Sequence, residues 1–292
     1  MQLLFELLLF GLTLGSLYAM MSMGLTLQYG VARIMNLAYG ELLIAMAFGS
    51  YALFTHLQLN PLVSLALSLP LGFAVNWLVY QLLLSPLVKR TQAGPALEVD
   101  SLLATFGLLF VIQGVMLVLF GGGYHSYSYA AEAVVMFGSR IAENRLIVLA
   151  FAILIGAALY LFLTRTRAGA AVRAVATAPN NAPLVGIDVR AVSGATFAAG
   201  GALVAASGVL VSMFLTFSAS MGVIFTMKAL IVVIMGGVGN VIGCIIAGLL
   251  LGLSETIVAR LLDPGLTLAV NYLLFLAVLL WKPAGLFGRP TR

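Results

Sequence analysis

The chain has 292 residues, of which 63% are hydrophobic and only 8% are charged, and its formal net charge is +5. So few charged side chains cannot cover a soluble protein, in which roughly a quarter of the residues carry charge. The apolar segments are about 20 residues long without alternation, twice the length of a membrane-spanning β-strand. Composition therefore excludes a soluble domain and a β-barrel, and it predicts an all-α, polytopic transmembrane helical bundle.

The basic residues are spread over short loops and the C-terminal tail, which is the positive-inside pattern and not a nucleic-acid-binding patch. Cys244 is the one cysteine, so an internal disulfide and a cysteine-based metal cluster are excluded. His56 and His125 have no ligand spacing between them. We therefore expect no metal site and no resident cofactor.

Nine apolar segments are candidate crossings. In chain order they are residues 3–27, 41–57, 62–84, 101–120, 147–163, 192–214, 221–235, 241–262 and 266–281. The first is expected to be a retained helix, because no basic n-region precedes it. The seventh is short, so it is either a crossing or a re-entrant segment, and we predict eight to nine spans. Glycine pairs at 11/15, 239/243 and 248/252 predict close helix packing.

Charge in the loops predicts the orientation. The loop 85–100 carries Lys89 and Arg90, and the loop 164–192 carries four arginines against the single acid Asp188. Since Lys and Arg resist translocation, both loops are predicted to be cytoplasmic. The loop 121–145 is then external, with the N-terminus outside and the C-terminus inside.

Polar residues near the start of the second span are the first candidates for a functional site. The mixed segment 28–40 contains Arg33 and Asn36, and Glu41 opens the span. Glu41 either pairs with Arg33 or anchors a helix end near the cytoplasmic interface, or it lines a solute path.

Two ionisable residues follow inside later spans. Lys228 either snorkels to the outer interface or lines the path of a carboxylate-bearing solute. Glu255 either pairs with Arg260, five residues on, or contacts the solute, because an unpaired charge in a span costs about 3 kcal/mol. The spans contain no chain of buried acids and histidines, which argues against a proton-driven pump.

A glycine break separates the seventh and eighth segments at Gly236, Gly237, Gly239 and Asn240. It has no lysine and no preceding strand, so it is not a phosphate-binding loop, and with no P-loop elsewhere the chain is not expected to hydrolyse ATP itself. The break is either a tight connection between packed helices or a broken helix that lines a pathway.

Four stretches in order resemble the branched-chain amino-acid ABC importer permeases. Residues 12–48 match the opening "YG…NxAxGE/D" signature, residues 173–192 the cytoplasmic coupling loop, residues 228–255 the "GGxGxxxG" segment and residues 282–288 the closing "RPxGLFG". The chain departs from the family at Tyr39, where histidine is common, and at Asn180 or Asn181, where an acid is usual.

The resemblance implies one permease domain over residues 1–292, multi-pass in the bacterial inner membrane, with a coupling loop at 164–192. Its protein partners would be a second homologous permease, two cytoplasmic subunits that bind the ATP, and a periplasmic solute-binding protein. The chain itself would be embedded in the lipid bilayer. The residues implied in ATPase coupling are Arg173, Ala176, Asn180, Asn181, Ala182, Gly186 and Ile187. The candidates for the translocation pathway are Asn36, Glu41, Lys228, Gly236, Gly237, Gly239, Asn240 and Glu255.

The expected function is translocation of branched-chain or related small amino acids by alternating access, driven by the partner ATPases, and the chain itself is not expected to be an enzyme. Relatives of the same form carry urea, short amides or aromatic acids, which stay as alternatives. A stand-alone secondary transporter or channel is the other class. The coupling loop could also be a solvated basic loop that contacts anionic headgroups.

Overall fold

The computed structural model describes residues 2–91, 95–136 and 139–288, and in these ranges the chain is a bundle of α-helices with one small β-hairpin. The helices are α1 (Gln2–Ala32), α2 (Tyr39–Leu57), α3 (Pro61–Val79), α4 (Ser85–Arg90), α5 (Pro95–Phe120), α6 (Glu143–Arg165), α7 (Arg167–Thr177), α8 (Val189–Ser212), α9 (Gly222–Gly236), α10 (Val241–Leu261) and α11 (Thr267–Trp281). A π-helical turn, Tyr80–Leu84, joins α3 to α4, and the 3-10 turns Ala182–Val185 and Pro264–Leu266 precede α8 and α11. The strands β1 (Ala133–Met136) and β2 (Ser139–Ala142) pair antiparallel.

Eight helical segments in the described ranges are long and apolar enough to cross a membrane. They are Leu4–Ala32, Tyr39–Leu57, Pro61–Arg90, Ala96–Phe120, Glu143–Arg165, Val189–Ser212, Val241–Leu261 and Pro264–Trp281. The ninth predicted segment is α9, whose 15 residues reach only about 22 Å, less than the hydrocarbon core of about 30 Å. The all-α multi-pass bundle with eight to nine spans and a glycine-broken segment is confirmed.

The two ends of the bundle differ in charge. Residues 121–136, 139–142 and 213–221 form one end, here the hairpin end, where His125 and Phe217 exchange backbone hydrogen bonds of 2.8 and 3.0 Å. The opposite end, here the basic end, contains α4, α7 and the C-terminal tail. The described basic residues of the basic end are Arg33, Lys89, Arg90, Arg165, Arg167, Arg173, Arg190 and Lys282, against Arg140, Arg145 and Arg260 at the hairpin end. This asymmetry is the one that the positive-inside rule associates with a cytoplasmic basic end.

The helices α1 and α8 form the centre of the bundle. In the most apolar stretch of α8, 83% of the residues are buried, against 6% for α11 at the periphery. The antiparallel contact between α1 and α10 depends on glycines, since a Cβ added at Gly248 or Gly252 would overlap the backbone of Ala19 or Gly15. Two of the predicted glycine pairs therefore serve close packing, as small residues do between helices in lipid.

Candidate functional site

Two helices begin inside the bundle instead of at its ends. The Tyr39 hydroxyl, at the start of α2, donates to the Met21 carbonyl at 2.7 Å, a level about 16 Å before the end of α1. The Gly40 N–H donates to the Thr226 hydroxyl of α9 at 2.8 Å. The first turns of α2 and α9 therefore meet at depth, and the half-length of α9 follows from this starting point.

The connection between α1 and α2, residues 33–38, is non-helical and is covered by side chains. Asn36 donates to the Gln28 side chain at 3.1 Å and accepts from the Ala38 N–H at 3.1 Å. The Leu37 N–H donates to the Thr105 hydroxyl at 3.1 Å. Irregular backbone at membrane depth is tolerated only where such partners satisfy it. Asn36, chosen as a pathway candidate, therefore organises the break between α1 and α2.

Glu41 lies in the first turn of α2 with no exposed surface. Its carboxylate faces the first turn of α9 so closely that a Cβ at Gly222 would overlap it. No described side chain bonds to either carboxylate oxygen, and Glu41 does not pair with Arg33; the interacting group from α9 is the Val223 backbone N–H. The positive ends of two helix dipoles, those of α2 and α9, meet at this carboxylate.

The second buried acid, Glu255 on α10, is fully partnered. The Lys228 ammonium of α9 donates to its two carboxylate oxygens at 2.7 and 2.9 Å and to the Tyr18 hydroxyl at 2.7 Å. Tyr18 of α1 donates to Glu255 at 2.9 Å, and Asn271 of α11 does so at 3.3 Å. All three ammonium hydrogens of Lys228 are thus used inside the bundle.

This cluster differs from the structural alternatives drawn from sequence. Lys228 does not extend to the outer interface, because its side chain is only 10% exposed. Glu255 pairs with Lys228 and not with Arg260. The sequence interpretation did not single out Tyr18 and Asn271. The available signal was the presence of two opposite charges in neighbouring spans, which favours their pairing.

The glycine break lies at the basic end, away from the meeting point of α2 and α9. Gly236 ends α9 against Gly243, and Gly237 and Gly239 have φ values of +97° and +81°. Asn240 caps α10 by accepting from the Gly243 N–H at 3.0 Å, and it donates to the Phe287 carbonyl at 3.0 Å. This geometry is that of a tight connection between packed helices. A role of these residues in the pathway stays a prediction.

The predicted coupling loop contains the short helix α7. Thr166 caps α7 by accepting from the Gly169 N–H at 3.0 Å. Val175 of α7 and Ala182 of the following 3-10 turn are buried together against Val31, near the end of α1. The loop is therefore attached to the membrane-spanning helices by an apolar base.

The coupling candidates divide between this base and an exposed tip. Ala182 is buried, and Ala176 and Ile187 pack beside it. The remaining candidates are outward-facing: Arg173 on α7, Asn180 and Asn181 in the turn, and Gly186 at φ +77°.

Two exposed residues of the tip were missed. Leu184 and Val185 are 84% and 74% exposed. They are apolar residues in a polar loop, and only the structure separates them from the equally apolar residues of the base.

The chain is similar along nearly its whole length to known transport proteins. A family model described as the permease component of branched-chain amino acid transport systems matches residues 7–280. The high-affinity branched-chain amino acid transport system permease protein LivH of Escherichia coli K12 is 27% identical over 303 aligned positions, which cover 96% of this chain and 94% of the relative. The corresponding protein BraD of Pseudomonas aeruginosa is 27% identical over 290 positions, with the same coverage. A probable branched-chain amino acid transport permease protein LivH of Methanocaldococcus jannaschii is 27% identical, with 94% and 89% covered. No solved structure is significantly similar to the chain.

Proposed function

The chain belongs to the permease family of branched-chain amino acid transport systems, and we propose that it is the membrane-spanning subunit of a binding-protein-dependent ABC importer in the bacterial inner membrane. It carries branched-chain or related small amino acids by alternating access. ATP is bound and hydrolysed by partner subunits, so the chain is a transport subunit and not an enzyme. The names of its relatives support the solute class.

In this proposal the chain works within a larger complex. A second homologous permease completes the passage, two cytoplasmic ATP-binding subunits drive it, and a periplasmic binding protein delivers the solute. The charge asymmetry between the two ends supports the orientation, with the basic end toward the ATP-binding subunits and the hairpin end toward the binding protein.

The observation that carries the proposal is the exposed apolar tip of the α7–α8 loop. Leu184 and Val185 project from a 3-10 turn whose neighbour Ala182 is buried in the base. Adjacent apolar side chains that stay exposed in a polar loop contribute to protein interaction surfaces. Arg173 is exposed on the same loop, and its charge would steer the encounter with an acidic groove. A displacement of this tip would be transmitted through the base to α1 and α8.

The helix α2 and the half-length helix α9, whose first turns meet at depth, are the elements on which such a displacement would act. Discontinuous helices that meet at depth are the usual place where transporters build their solute site. Glu41 and Asn36 lie at this meeting point. We assign them to the passage, whereas Lys228 and Glu255 complete each other's bonding.

The test is to replace Leu184 and Val185 together by Asp in the complete complex. Truncation of a docking anchor costs about 2 kcal/mol or more, which weakens binding roughly 30-fold. We expect a variant that inserts at the normal level but loses co-purification with the ATP-binding subunits and loses ATP-driven uptake of L-leucine. Ala168→Asp is the matched control, because Ala168 is an exposed small residue at the start of α7.

The outcomes separate the two classes of transporter. Normal assembly and uptake by the double variant would refute the docking assignment. Uptake that persists in liposomes without ATP would favour the stand-alone secondary transporter.

A further inference from the structure

A groove between α5 and α9 lies directly beside the point where the first turns of α2 and α9 meet. It is an open groove of about 280 Å³, near the lower limit of small-molecule sites, which run from roughly 300 to 1,000 Å³, and Phe106 and Phe110 on its rim are 47% and 56% exposed. Its walls are Phe106 and Phe110 of α5 and Val223 and Met227 of α9, and Gln113 and Thr226 are its polar residues. The groove therefore has the size and composition of a site for a small amphipathic solute.

Gln113 is the unusual member of this groove. It lies within the membrane-spanning α5 and is half-buried, yet its carboxamide forms no hydrogen bond with any residue that the structure describes. A carboxamide left unbonded in an apolar environment costs free energy, so Gln113 is available to bond a molecule in the groove. The carboxamide offers both a donor and an acceptor to a bound molecule.

Thr226 connects the groove to the break. Its hydroxyl accepts from the Gly40 N–H at 2.8 Å and lies 3.2 Å from the Leu37 carbonyl, and Leu37 also lines the cavity. A molecule in the groove would therefore contact the connection between α1 and α2 as well as the first turn of α9. Movement of α2 or α9 would change the shape of this groove.

We propose that the groove between α5 and α9 is a solute subsite, in which Gln113 binds the polar end of a neutral amino acid and the apolar walls hold its branched aliphatic or aromatic side chain. This inference rests on the proposed transport function and narrows its solute class. Urea and short amides fit the walls poorly, because their N–H and C=O groups would be left without partners against Phe106, Phe110 and Met227.

The experiment uses the complete complex in liposomes with its binding protein present. Uptake of L-leucine, L-phenylalanine, urea and acetamide is measured for the unmodified chain and for Gln113→Leu, Met227→Trp and the control Val118→Leu. Val118 is 86% exposed on α5 and does not line the cavity. Subunit co-purification and ATP hydrolysis are measured in parallel.

We expect the unmodified complex to carry leucine or phenylalanine in preference to urea and acetamide. Gln113→Leu removes one hydrogen bond of about 1.4 kcal/mol, so uptake should fall roughly tenfold. Met227→Trp should reduce uptake at least as much by filling the cavity. Both variants should keep their ATP-binding subunits, and Val118→Leu should behave as the unmodified chain.

Unchanged uptake by both groove variants, or a preference of the unmodified complex for urea or acetamide, would overturn the subsite. Failure of the proposed function would look different. In that case the unmodified complex would show no ATP-driven uptake of any of the four probes, and the subsite would fall with it.

Discussion

Two buried glutamates of this bundle have opposite surroundings. Glu255 receives hydrogen bonds from Lys228, Tyr18 and Asn271, which come from three other helices. Glu41 has no described side-chain partner and faces the backbone of the first turn of α9. A charge that is satisfied inside the bundle holds helices together, whereas a charge left without a partner is available to a solute or to a change of state.

The half-helix α9 connects these two regions. Gly222 at its start lies against Glu41, and Lys228, six residues on, is bound to Glu255. The helix α9 is therefore fixed at its middle by an ion pair, whereas at its beginning it meets the Glu41 carboxylate through its backbone alone. This arrangement lets the first turn of α9 respond at the break while the contacts with α1, α10 and α11 persist.

The largest effect is expected from breaking the satisfied region. Lys228→Met leaves the Glu255 carboxylate buried without its cation, and removal of one partner of a buried ion pair costs about 3–5 kcal/mol. We expect a steep loss of thermal stability in detergent, or failure to recover folded protein. Thermal unfolding followed by fluorescence-detected gel filtration measures this loss.

The double variant Lys228→Met with Glu255→Met sharpens the result. Apolar replacement of both partners of a buried pair is often neutral for stability, so most of the loss should be recovered. The matched control is Arg260→Met, which removes an exposed charge and should change stability by about 0.5 kcal/mol at most. A single variant as stable as the unmodified chain would contradict the structural assignment. A stable double variant without uptake would move the pair to the pathway.

A smaller change in stability but a clear functional effect is expected at the break. Glu41→Gln keeps the shape that fits beside Gly222 and removes the charge that two helix N-termini favour. That interaction is worth about 1–2 kcal/mol in a buried geometry, so the balance between two arrangements of α2 and α9 should shift roughly 5- to 30-fold. We expect reduced L-leucine uptake with normal assembly, and the unfolding temperature should change by only a few degrees.

Glu41→Asp is the companion variant, because it keeps the charge on a shorter side chain. Partial recovery of uptake in Glu41→Asp relative to Glu41→Gln would identify the charge as the functional property. Equal uptake by Glu41→Gln and the unmodified chain would make this carboxylate a structural feature only.

The sequence predicted the spans well because a membrane-crossing helix needs a long apolar run that local composition reveals. The helix α7 in the loop 164–192 is also a local feature, because its cap and its basic residues lie close together in the chain. The short segment that became α9 was ambiguous, because its starting depth depends on contacts with Gly40 and Leu37, some 190 residues earlier.

The bonding partners of Glu255 and the role of Gln113 could not be predicted from local sequence. Arg260 is five residues from Glu255 and therefore on a different side of α10, since helical neighbours are three or four residues apart. The true partner, Lys228, lies 27 residues earlier on another helix. Gln113 was not singled out, because a lone amide in an apolar span has no local pattern, and only the cavity beside it gives it meaning.

The smallest change in stability is expected at Asn271. A substitution there distinguishes the surroundings of Glu255 from the groove beside Glu41. Asn271 donates the longest bond to Glu255, at 3.3 Å, and its own carbonyl has no described partner. Asn271→Leu removes a weak donor and an unsatisfied acceptor together, so the free energy of unfolding should change by about 1 kcal/mol or less.

Asn271 also lines a second, smaller cavity of about 120 Å³ between α9 and α11. If solute passes only through the groove between α5 and α9, L-leucine uptake should be unchanged in Asn271→Leu and reduced in Gln113→Leu. The reverse result would place the passage beside the satisfied ion pair and remove the distinction between the two glutamates.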